Sequence, residues 1–171
     1  MMNLISGGHL RTRILSTLLI PMIGLASLST MSVISQRHNE TKAGALVTYL
    51  NLAVRSGNLL QETQKERGLT SLFLNSKGAS SGSDLEAQRV NTDKALVEFR
   101  AYRDAHVKAF PAETINALDG VNEHLQDLQQ RRQAVTALSI DTTSAISWYT
   151  DLNNALLNTA ETLAVNSPSA A

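Results

Sequence analysis

The chain contains four segments in which mainly apolar residues recur at alternating spacings of four and three. This spacing places one stripe of side chains along one face of an α-helix, and it is typical of helices that pack in a bundle. The segments span about residues 36–74, 85–106, 111–135 and 142–164. Their predicted stripes are, in chain order, Leu46, Leu50, Ala53, Gly57, Leu60, Gln64, Arg67, Ser71 and Leu74; Leu85, Arg89, Thr92, Leu96 and Phe99; Leu118, Val121, Leu125, Leu128, Arg132 and Val135; and Ile146, Tyr149, Asn153, Leu156, Ala160 and Leu163.

Short connections separate the four predicted helices. Residues 75–84 read NSKGASSGSD, which is a loop composition, and Ser83 or Asp84 can cap the helix that follows. Pro111 is expected at the first position of the third helix, and a short turn is expected around residues 139–141. Because short connections favour antiparallel neighbours, the sequence predicts an all-α fold, an up-down-up-down four-helix bundle.

The stretch from Ile14 to Ile34 has 21 residues and no charge. A helix that spans a membrane needs about 20 such residues, so we expect a transmembrane helix that continues into the first helix of the bundle. A cleaved signal peptide is the alternative, but the apolar region of a signal peptide is usually only about 7–15 residues long. Arg11 and Arg13 precede the stretch, which favours a cytoplasmic N-terminus.

These expectations divide the chain into four parts. They are a cytoplasmic N-terminus at residues 1–13, a transmembrane helix at 14–35, an extracytoplasmic helical domain at 36–164, and a disordered or truncated tail at 165–171. The expected location is the inner membrane, which the chain crosses once, with the bundle in the periplasm.

The composition argues against several classes of function. The chain has 15 basic and 15 acidic residues and a formal net charge of zero, so there is no electrostatic case for binding nucleic acid. It has no cysteine, which excludes disulfides and thiolate metal sites, and its 4 histidines lack metal-ligand spacing. No nucleophile elbow, phosphate-binding loop or zinc pattern is present. We therefore expect neither an enzyme nor a protein that needs a cofactor or a metal.

Polar residues interrupt each predicted stripe. At about 1.5 Å per residue from the expected helix ends, seven of them lie at a similar height, near the membrane-distal end of the bundle. They are Gln64, Arg67, Arg89, Thr92, Arg132, Tyr149 and Asn153, with Ser71 one turn beyond Arg67. Buried guanidinium groups without matching acids are costly, whereas arginine offers planar, bidentate hydrogen bonds to an oxyanion. The layer therefore indicates a site for a small anion. Arg67 is the main candidate ligand, because the helix around it is apolar on both sides.

Structural explanations are open for the same residues. Arg89 and Asp93 are four residues apart and can pair on one helix. Arg132 lies near a helix C-terminus, where the helix dipole favours a cation. Arg67 could pair with Asp93 across the bundle, and Tyr149 could be an ordinary core residue.

Two alternative functions follow from these explanations. If the arginines pair with acids, the chain is a structural or dimerisation bundle without a ligand. A carboxylate within salt-bridge reach of Arg67 would favour that interpretation. A ligand with an ammonium group, such as an amino acid, would instead need a carboxylate in the layer, and Asp93 is the one nearby.

Residues 59–78, LLQETQKERGLTSLFLNSKG, resemble the nitrate- and nitrite-sensing domain, an all-helical input module of bacterial chemoreceptors, sensor kinases and a transcription antiterminator. The matching features are a glutamine ahead of Glu66-Arg67-Gly68-Leu69, a hydroxyl residue next, and apolar residues before a serine- and glycine-rich loop. Later segments are similar to the second, third and fourth helices of that family: Gln88-Arg89 and Thr92-Asp93; Leu125, Leu128, Arg132 and Val135; and Tyr149-Thr150, Leu152-Asn153 and Leu156-Leu157. The resemblance covers roughly residues 41–164.

The resemblance implies that two arginines bind nitrate or nitrite. The first corresponds to Arg67, and the second belongs to the later half of the domain, which we expect beyond Ala171. It also implies the N-terminal piece of a receptor, a methyl-accepting chemotaxis protein, or a truncated relative of such a receptor. Our hypothesis is that binding orders the polar layer, shifts the first helix and passes a signal through the membrane helix. We expect this receptor to be a homodimer. The other residues of the layer, and Ser71, are weaker candidates that spacing alone suggests.

Overall fold

The structure is a computed structural model, and it describes residues 42–168. The expected cytoplasmic segment 1–13 and transmembrane helix 14–35 lie outside the described residues. Within residues 42–168, no helix is both long enough and apolar enough to cross a membrane. The chain divides into two compact units after Gly44, and the packing described below belongs to the second unit, Ala45–Ala171.

The described part of the chain is all helical, which confirms the predicted all-α class. Its elements are α1 at residues 42–75, α2 at Gly82–His106, a 3-10 turn at Val107–Ala109, α3 at Ala112–Gln126, α4 at Leu128–Thr136 and α5 at Thr142–Val165. The tail expected at residues 165–171 overlaps α5 by one residue, because Val165 is the last residue of that helix.

Hydrogen bonds between helices show an up-and-down arrangement. As residue numbers rise along α1, the partners on α2 and on α5 fall, so both helices run antiparallel to α1. The bonds that define this are Tyr102 to Thr48, Gln88 to Glu62, Thr63 to Asn153, and Thr142 to Asn75. Likewise α2 runs antiparallel to α3 and α4, through Arg103 to Asn122 and Arg89 to Thr136. Together α3 and α4 form the third leg of the bundle.

The third leg is two helices, although the sequence predicts one. The break is at Asp127, whose N–H donates to the carbonyl of His124, three residues back, at 3.2 Å. The regular pattern resumes when the N–H of Arg131 donates to the carbonyl of Asp127 at 2.9 Å. The predicted stripe survives the break, because Leu125 and Leu128 are both buried on either side of it.

The start of α2 differs from the prediction. The helix begins at Gly82 rather than near Leu85, after Ser81 in a left-handed conformation with φ 63°. The expected cap by Ser83 or Asp84 is therefore wrong, since both residues lie inside the first turn. Asp84 is still favourable there, because an acid near a helix N-terminus interacts well with the helix dipole.

The starts of α3 and α5 are close to expectation. Pro111 immediately precedes α3 instead of being its first residue, which is Ala112. The turn before α5 ends at Asp141, whose carboxylate accepts a hydrogen bond from the N–H of Ser144 at 2.9 Å. This side-chain cap satisfies a backbone donor that the helix itself leaves unpaired.

The buried face of α1 lies about one residue away from the predicted stripe. The side chains that α1 buries are Tyr49, Leu52, Ser56, Leu59, Thr63, Glu66, Thr70 and Leu74. By contrast Leu50 and Gln64 are exposed, and Arg67 is only half-buried. One residue is about 100° of helix rotation, so the predicted stripe runs along the flank of α1 rather than over the core. The prediction failed because half of the buried face is polar and hydropathy does not reveal it.

The stripes of the other helices are confirmed in large part. The core joins apolar side chains from every leg, and its fully buried members include Leu52, Leu59, Phe99, Leu118, Val121, Leu152 and Leu156. A smaller cluster closes the end of the bundle near the loop after α1, with Leu74, Leu85, Val135 and Ala145.

The rotation of α1 is testable with two leucines. Leu59 is 0% exposed and Leu50 is 56% exposed. We expect Leu59→Ala to lower the free energy of unfolding by about 2–5 kcal/mol, because it leaves a cavity in the core. We expect Leu50→Ala to stay within about 0.5 kcal/mol of the unmodified chain. Urea unfolding followed by circular dichroism measures both, and a larger loss in Leu50→Ala than in Leu59→Ala would show that the face of α1 with Leu50 is the buried one.

Candidate functional site

A buried carboxylate occupies the centre of the polar layer. Glu66 on α1 is 0% exposed, and Arg132 on α4 binds it with two parallel hydrogen bonds. Arg132 Nε donates to Glu66 Oε1 at 2.7 Å, and Arg132 Nη2 donates to Oε2 at 2.8 Å. A carboxylate without such a partner would be strongly destabilising at this depth. Charge-assisted hydrogen bonds are roughly twice as strong as neutral ones, and the bidentate geometry adds both energy and geometric specificity.

Tyr149 on α5 completes the coordination of this carboxylate. Its hydroxyl donates to Glu66 Oε1 at 2.7 Å, and its side chain is buried. Burial raises the pKa of Tyr149, and the negative charge of Glu66 raises it further, because a tyrosinate here would be both desolvated and repelled. Glu66 therefore connects three of the four legs of the bundle.

Two further charges surround Arg132. Its Nη1 donates to Oδ1 of Asp93 on α2 at 2.6 Å. Arg89, also on α2, donates to the hydroxyl of Thr136 and to the carbonyl of Arg132, and its Nε lies 3.9 Å from Glu66 Oε1. Burial alone would lower the pKa of Arg132, but the hydrogen bonds and charges of Glu66 and Asp93 outweigh that effect and raise it.

Glu66, Asp93, Arg89, Arg132 and Tyr149 are called the charge cluster below. It holds two cations and two carboxylates and is therefore neutral in formal charge. The prediction of buried guanidinium groups without matching acids is wrong, because Glu66 lies among them. Asp93 could have paired with Arg89 or with Arg67, but its partner is Arg132.

Arg67 lies beside the charge cluster but does not belong to it. It follows Glu66 in the chain, so its side chain leaves α1 about 100° away. Arg67 as a residue is half-buried, and its Nη1 donates to the hydroxyl of Thr150 on α5 at 3.3 Å. Among residues 42–168, no carboxylate oxygen lies within 4.0 Å of this guanidinium. None of the guanidinium donors of Arg67 is therefore paired with an acid in the described part of the chain.

The other predicted site residues are dispersed. Gln64 is exposed on the flank of α1, and Ser71 is half-buried, with its hydroxyl 3.4 Å from the amide of Asn75. Thr92 is buried and donates to the carbonyl of Gln88 at 3.2 Å. Asn153 is buried beside Thr63, with Thr63 Oγ1 2.6 Å from Asn153 Oδ1. The structure thus brings Arg89, Arg132 and Tyr149 together and keeps Arg67 apart from them.

The residue that the sequence analysis missed is Glu66. It was recognised as part of the Glu66-Arg67-Gly68 motif but placed off the buried face. The signal that could have found it is a second stripe at alternating spacings of three and four, which runs from Tyr49 through Leu52 and Leu59 to Glu66. Counted that way, a glutamate falls at the same height as Arg132.

An open cleft borders the charge cluster on its outer side. It has a volume of about 460 Å³ and lies between α2 and α4. Its lining residues are Arg89, Asp93, Gln129, Arg132, Gln133, Thr136 and Ala137. Since both arginines already bind acids or carbonyls, the cleft has little uncompensated positive charge.

Within residues 42–168, no group of three or more histidine, aspartate or glutamate side chains is placed to hold a metal ion.

The raised pKa of Tyr149 predicts a loss of stability at alkaline pH. In the unfolded chain this tyrosine loses its proton near pH 10, whereas the folded chain retains it to higher pH. The stabilising contribution is therefore complete below about pH 10 and is lost as the pH rises toward the folded-state pKa.

We expect the free energy of unfolding to fall more steeply between about pH 10 and pH 12 in the unmodified chain than in Tyr149→Phe. Tyr49, whose pKa burial also raises, stays in both proteins and cancels in the difference. Urea unfolding at several pH values measures this, and parallel curves would show that Tyr149 is not held protonated by the cluster.

Comparison with known proteins agrees with the resemblance seen in the sequence. The family described as nitrate and nitrite sensing (NIT) matches residues 58–171. Among solved structures, the NasR transcription antiterminator is similar in fold, with a TM-score of 0.71 and 20% sequence identity over 80% of this chain. The chain spans 37% of the length of that protein. Comparison with curated protein sequences gives no significant match. The match over residues 58–171, which is well over half of the sequence, shows that the chain belongs to the nitrate and nitrite sensing family.

Proposed function

We propose that this chain is a sensory domain that binds nitrate or nitrite, with Arg67 as the main ligand residue. The family supports the ligand class and a sensory rather than an enzymatic role. The observation that carries the choice of Arg67 is the state of this half-buried residue, whose guanidinium has no acidic partner among the described residues and only one hydrogen bond, at 3.3 Å, to a neutral hydroxyl.

The chemistry of Arg67 suits a planar oxyanion. A guanidinium has five N–H donors in one plane, and two of them can bind two oxygens of nitrate or nitrite at once. Gln64 and Ser71 lie three residues before and four residues after Arg67, on the same flank of α1. Their amide and hydroxyl groups can add hydrogen bonds to the same anion.

The arginines of the charge cluster are weaker candidates. Arg132 already uses its donors on Glu66 and Asp93, and an anion would have to displace one of these carboxylates. Arg89 donates to Thr136 and to a backbone carbonyl. An anion at either residue would therefore gain less than one at Arg67, where no carboxylate of the described residues competes for the guanidinium.

We also propose that α1 carries the signal away from the site. α1 is one uninterrupted helix from residue 42 to residue 75, so a shift at Arg67 displaces the whole helix. The uncharged stretch from Ile14 to Ile34 supports an anchor in the inner membrane, with the bundle in the periplasm and the N-terminus in the cytoplasm. The parent protein would then be a receptor, such as a chemotaxis receptor.

We also propose that the receptor is a homodimer. The part of α1 before the charge cluster exposes three large apolar side chains, Val47, Leu50 and Val54. Exposed apolar groups that lie together on one helix are typical of a surface that associates with another protein. A second copy of this chain is the partner that the proposal assigns to them.

A ligand-free structural bundle is the second candidate function. The charge cluster favours it, because Glu66 and Arg132 satisfy each other without any ligand. Against it stands Arg67, which has no carboxylate within salt-bridge distance among residues 42–168, whereas this alternative requires one. Both candidate functions assign the charge cluster a stabilising role. They differ in the role of Arg67, which binds an anion in the first and has no ligand in the second.

The test is the effect of nitrate on stability. At a nitrate concentration one hundred times the dissociation constant, the full chain should be stabilised by about 2.7 kcal/mol. We expect Arg67→Ala to abolish this stabilisation, because the anion loses its cationic partner. Arg55→Ala is the matched control, since Arg55 also lies on α1 but contacts the ring of Tyr102.

A thermal-shift titration at constant ionic strength measures these effects, with sulfate as the comparison anion. The proposal predicts a nitrate response in the unmodified chain and in Arg55→Ala, and none in Arg67→Ala. An unchanged nitrate response in Arg67→Ala would remove Arg67 from the site.

A further inference from the structure

Two consecutive residues of α1 each form a hydrogen bond with one of two consecutive residues of α5. Glu66 on α1 accepts a hydrogen bond from the Tyr149 hydroxyl of α5 at 2.7 Å. Their chain neighbours, Arg67 and Thr150, are joined by the 3.3 Å hydrogen bond. The proposed anion ligand is therefore attached to the same point of α1 that the charge cluster holds.

The rotation of α1 determines where both side chains lie. A helix with its side chains has a radius of about 5–6 Å, so a rotation of about 10° moves a side chain by roughly 1 Å. A shift of this size would lengthen hydrogen bonds of 2.7 Å beyond useful range. It would move Arg67 by the same distance, since both residues belong to one rigid helix.

The contacts of Glu66 are much stronger than those of Arg67. Glu66 is fully buried and receives three short hydrogen bonds, two from Arg132 and one from Tyr149. Arg67 is half-buried and has the single longer bond to Thr150. The rotational setting of α1 at this height is therefore imposed by Glu66, and Arg67 follows it.

We infer that Glu66, Arg132 and Tyr149 are positioning residues that hold Arg67 in place for an anion. None of them needs to touch the ligand. They reduce the freedom of α1 before binding, so that less ordering remains to be done when the anion arrives. The role in anion affinity rests on the proposed function, whereas the positioning of Arg67 does not.

Two variants and one matched control test the inference in the full chain. Tyr149→Phe removes one hydrogen bond to Glu66 and keeps the ion pair, and Arg132→Lys keeps the charge but loses the bidentate geometry. Tyr102→Phe is the control. It also removes a tyrosine hydroxyl that bonds to α1, to the carbonyl of Thr48 at 3.3 Å, far from Arg67.

The first readout needs no nitrate. The heteronuclear NOE of the Arg67 Nε–H group reports how strongly this side chain is held on the nanosecond timescale. We expect it to fall in Tyr149→Phe and in Arg132→Lys and to stay unchanged in Tyr102→Phe. An unchanged Arg67 signal in a folded Tyr149→Phe or a folded Arg132→Lys would overturn the inference.

The second readout is nitrate affinity. We expect the dissociation constant for nitrate to rise by roughly three- to tenfold in both variants, which is the free-energy contribution of about one hydrogen bond. We expect no change in Tyr102→Phe. Equal affinity in all four proteins would overturn the positioning role. If the unmodified chain does not bind nitrate, the proposed function fails by itself, and the NOE comparison still decides the positioning of Arg67.

Discussion

The bidentate ion pair between Arg132 and Glu66 is the interaction on which the rest of the structure depends. It joins α4 to α1 inside the bundle, and the hydroxyl of Tyr149 adds α5 to the same carboxylate. Because Glu66 is fully buried, α1 cannot rotate away without leaving a charge unpaired in the core, at a cost of several kcal/mol. The pair thus fixes which face of α1 meets the other helices. It explains how a helix with Ser56, Thr63 and Thr70 on its buried face keeps one orientation.

One consequence is that the adjacent residues Glu66 and Arg67 have different environments. Glu66 is buried in the interior, and the charge cluster that it forms with Asp93, Arg89 and Arg132 is neutral. Arg67, the next residue, is turned toward α5 and lacks an acidic partner within the described part of the chain. A neutral cluster beside an uncompensated guanidinium is the arrangement expected if one site stabilises the bundle and the other binds an anion. The family match supports the second role, since it concerns nitrate and nitrite sensing.

The sequence predicts the buried face correctly for three legs of the bundle and wrongly for the fourth, α1. On α2, α3, α4 and α5 the buried positions are mostly apolar, so their spacing reveals the face, including Leu125 and Leu128 on either side of the break at Asp127. On α1 hydropathy favoured Leu46, Leu50 and Leu60 over a face that carries a glutamate and three hydroxyl residues. What makes that face stable is a partner 66 residues away in the chain, which no local pattern contains. The Glu66-Arg67-Gly68 motif indicates the position of the site along α1. It does not indicate whether Glu66 or Arg67 is the charged residue that faces the core.

A double-mutant cycle on Glu66 and Arg132 tests this most directly. The free energy of unfolding is measured for the unmodified chain, Glu66→Leu, Arg132→Leu and the double variant. Arg132→Leu leaves the buried Glu66 carboxylate with the Tyr149 hydroxyl and with Arg89 Nε at 3.9 Å. Glu66→Leu leaves Arg132 with Asp93 as its acidic partner among the described residues. The double variant removes both charges of the pair. A buried pair predicts that the double variant is more stable than either single variant, with an interaction free energy of about 2–3 kcal/mol. Losses that simply add would contradict it and would show that Glu66 and Arg132 do not meet in the core.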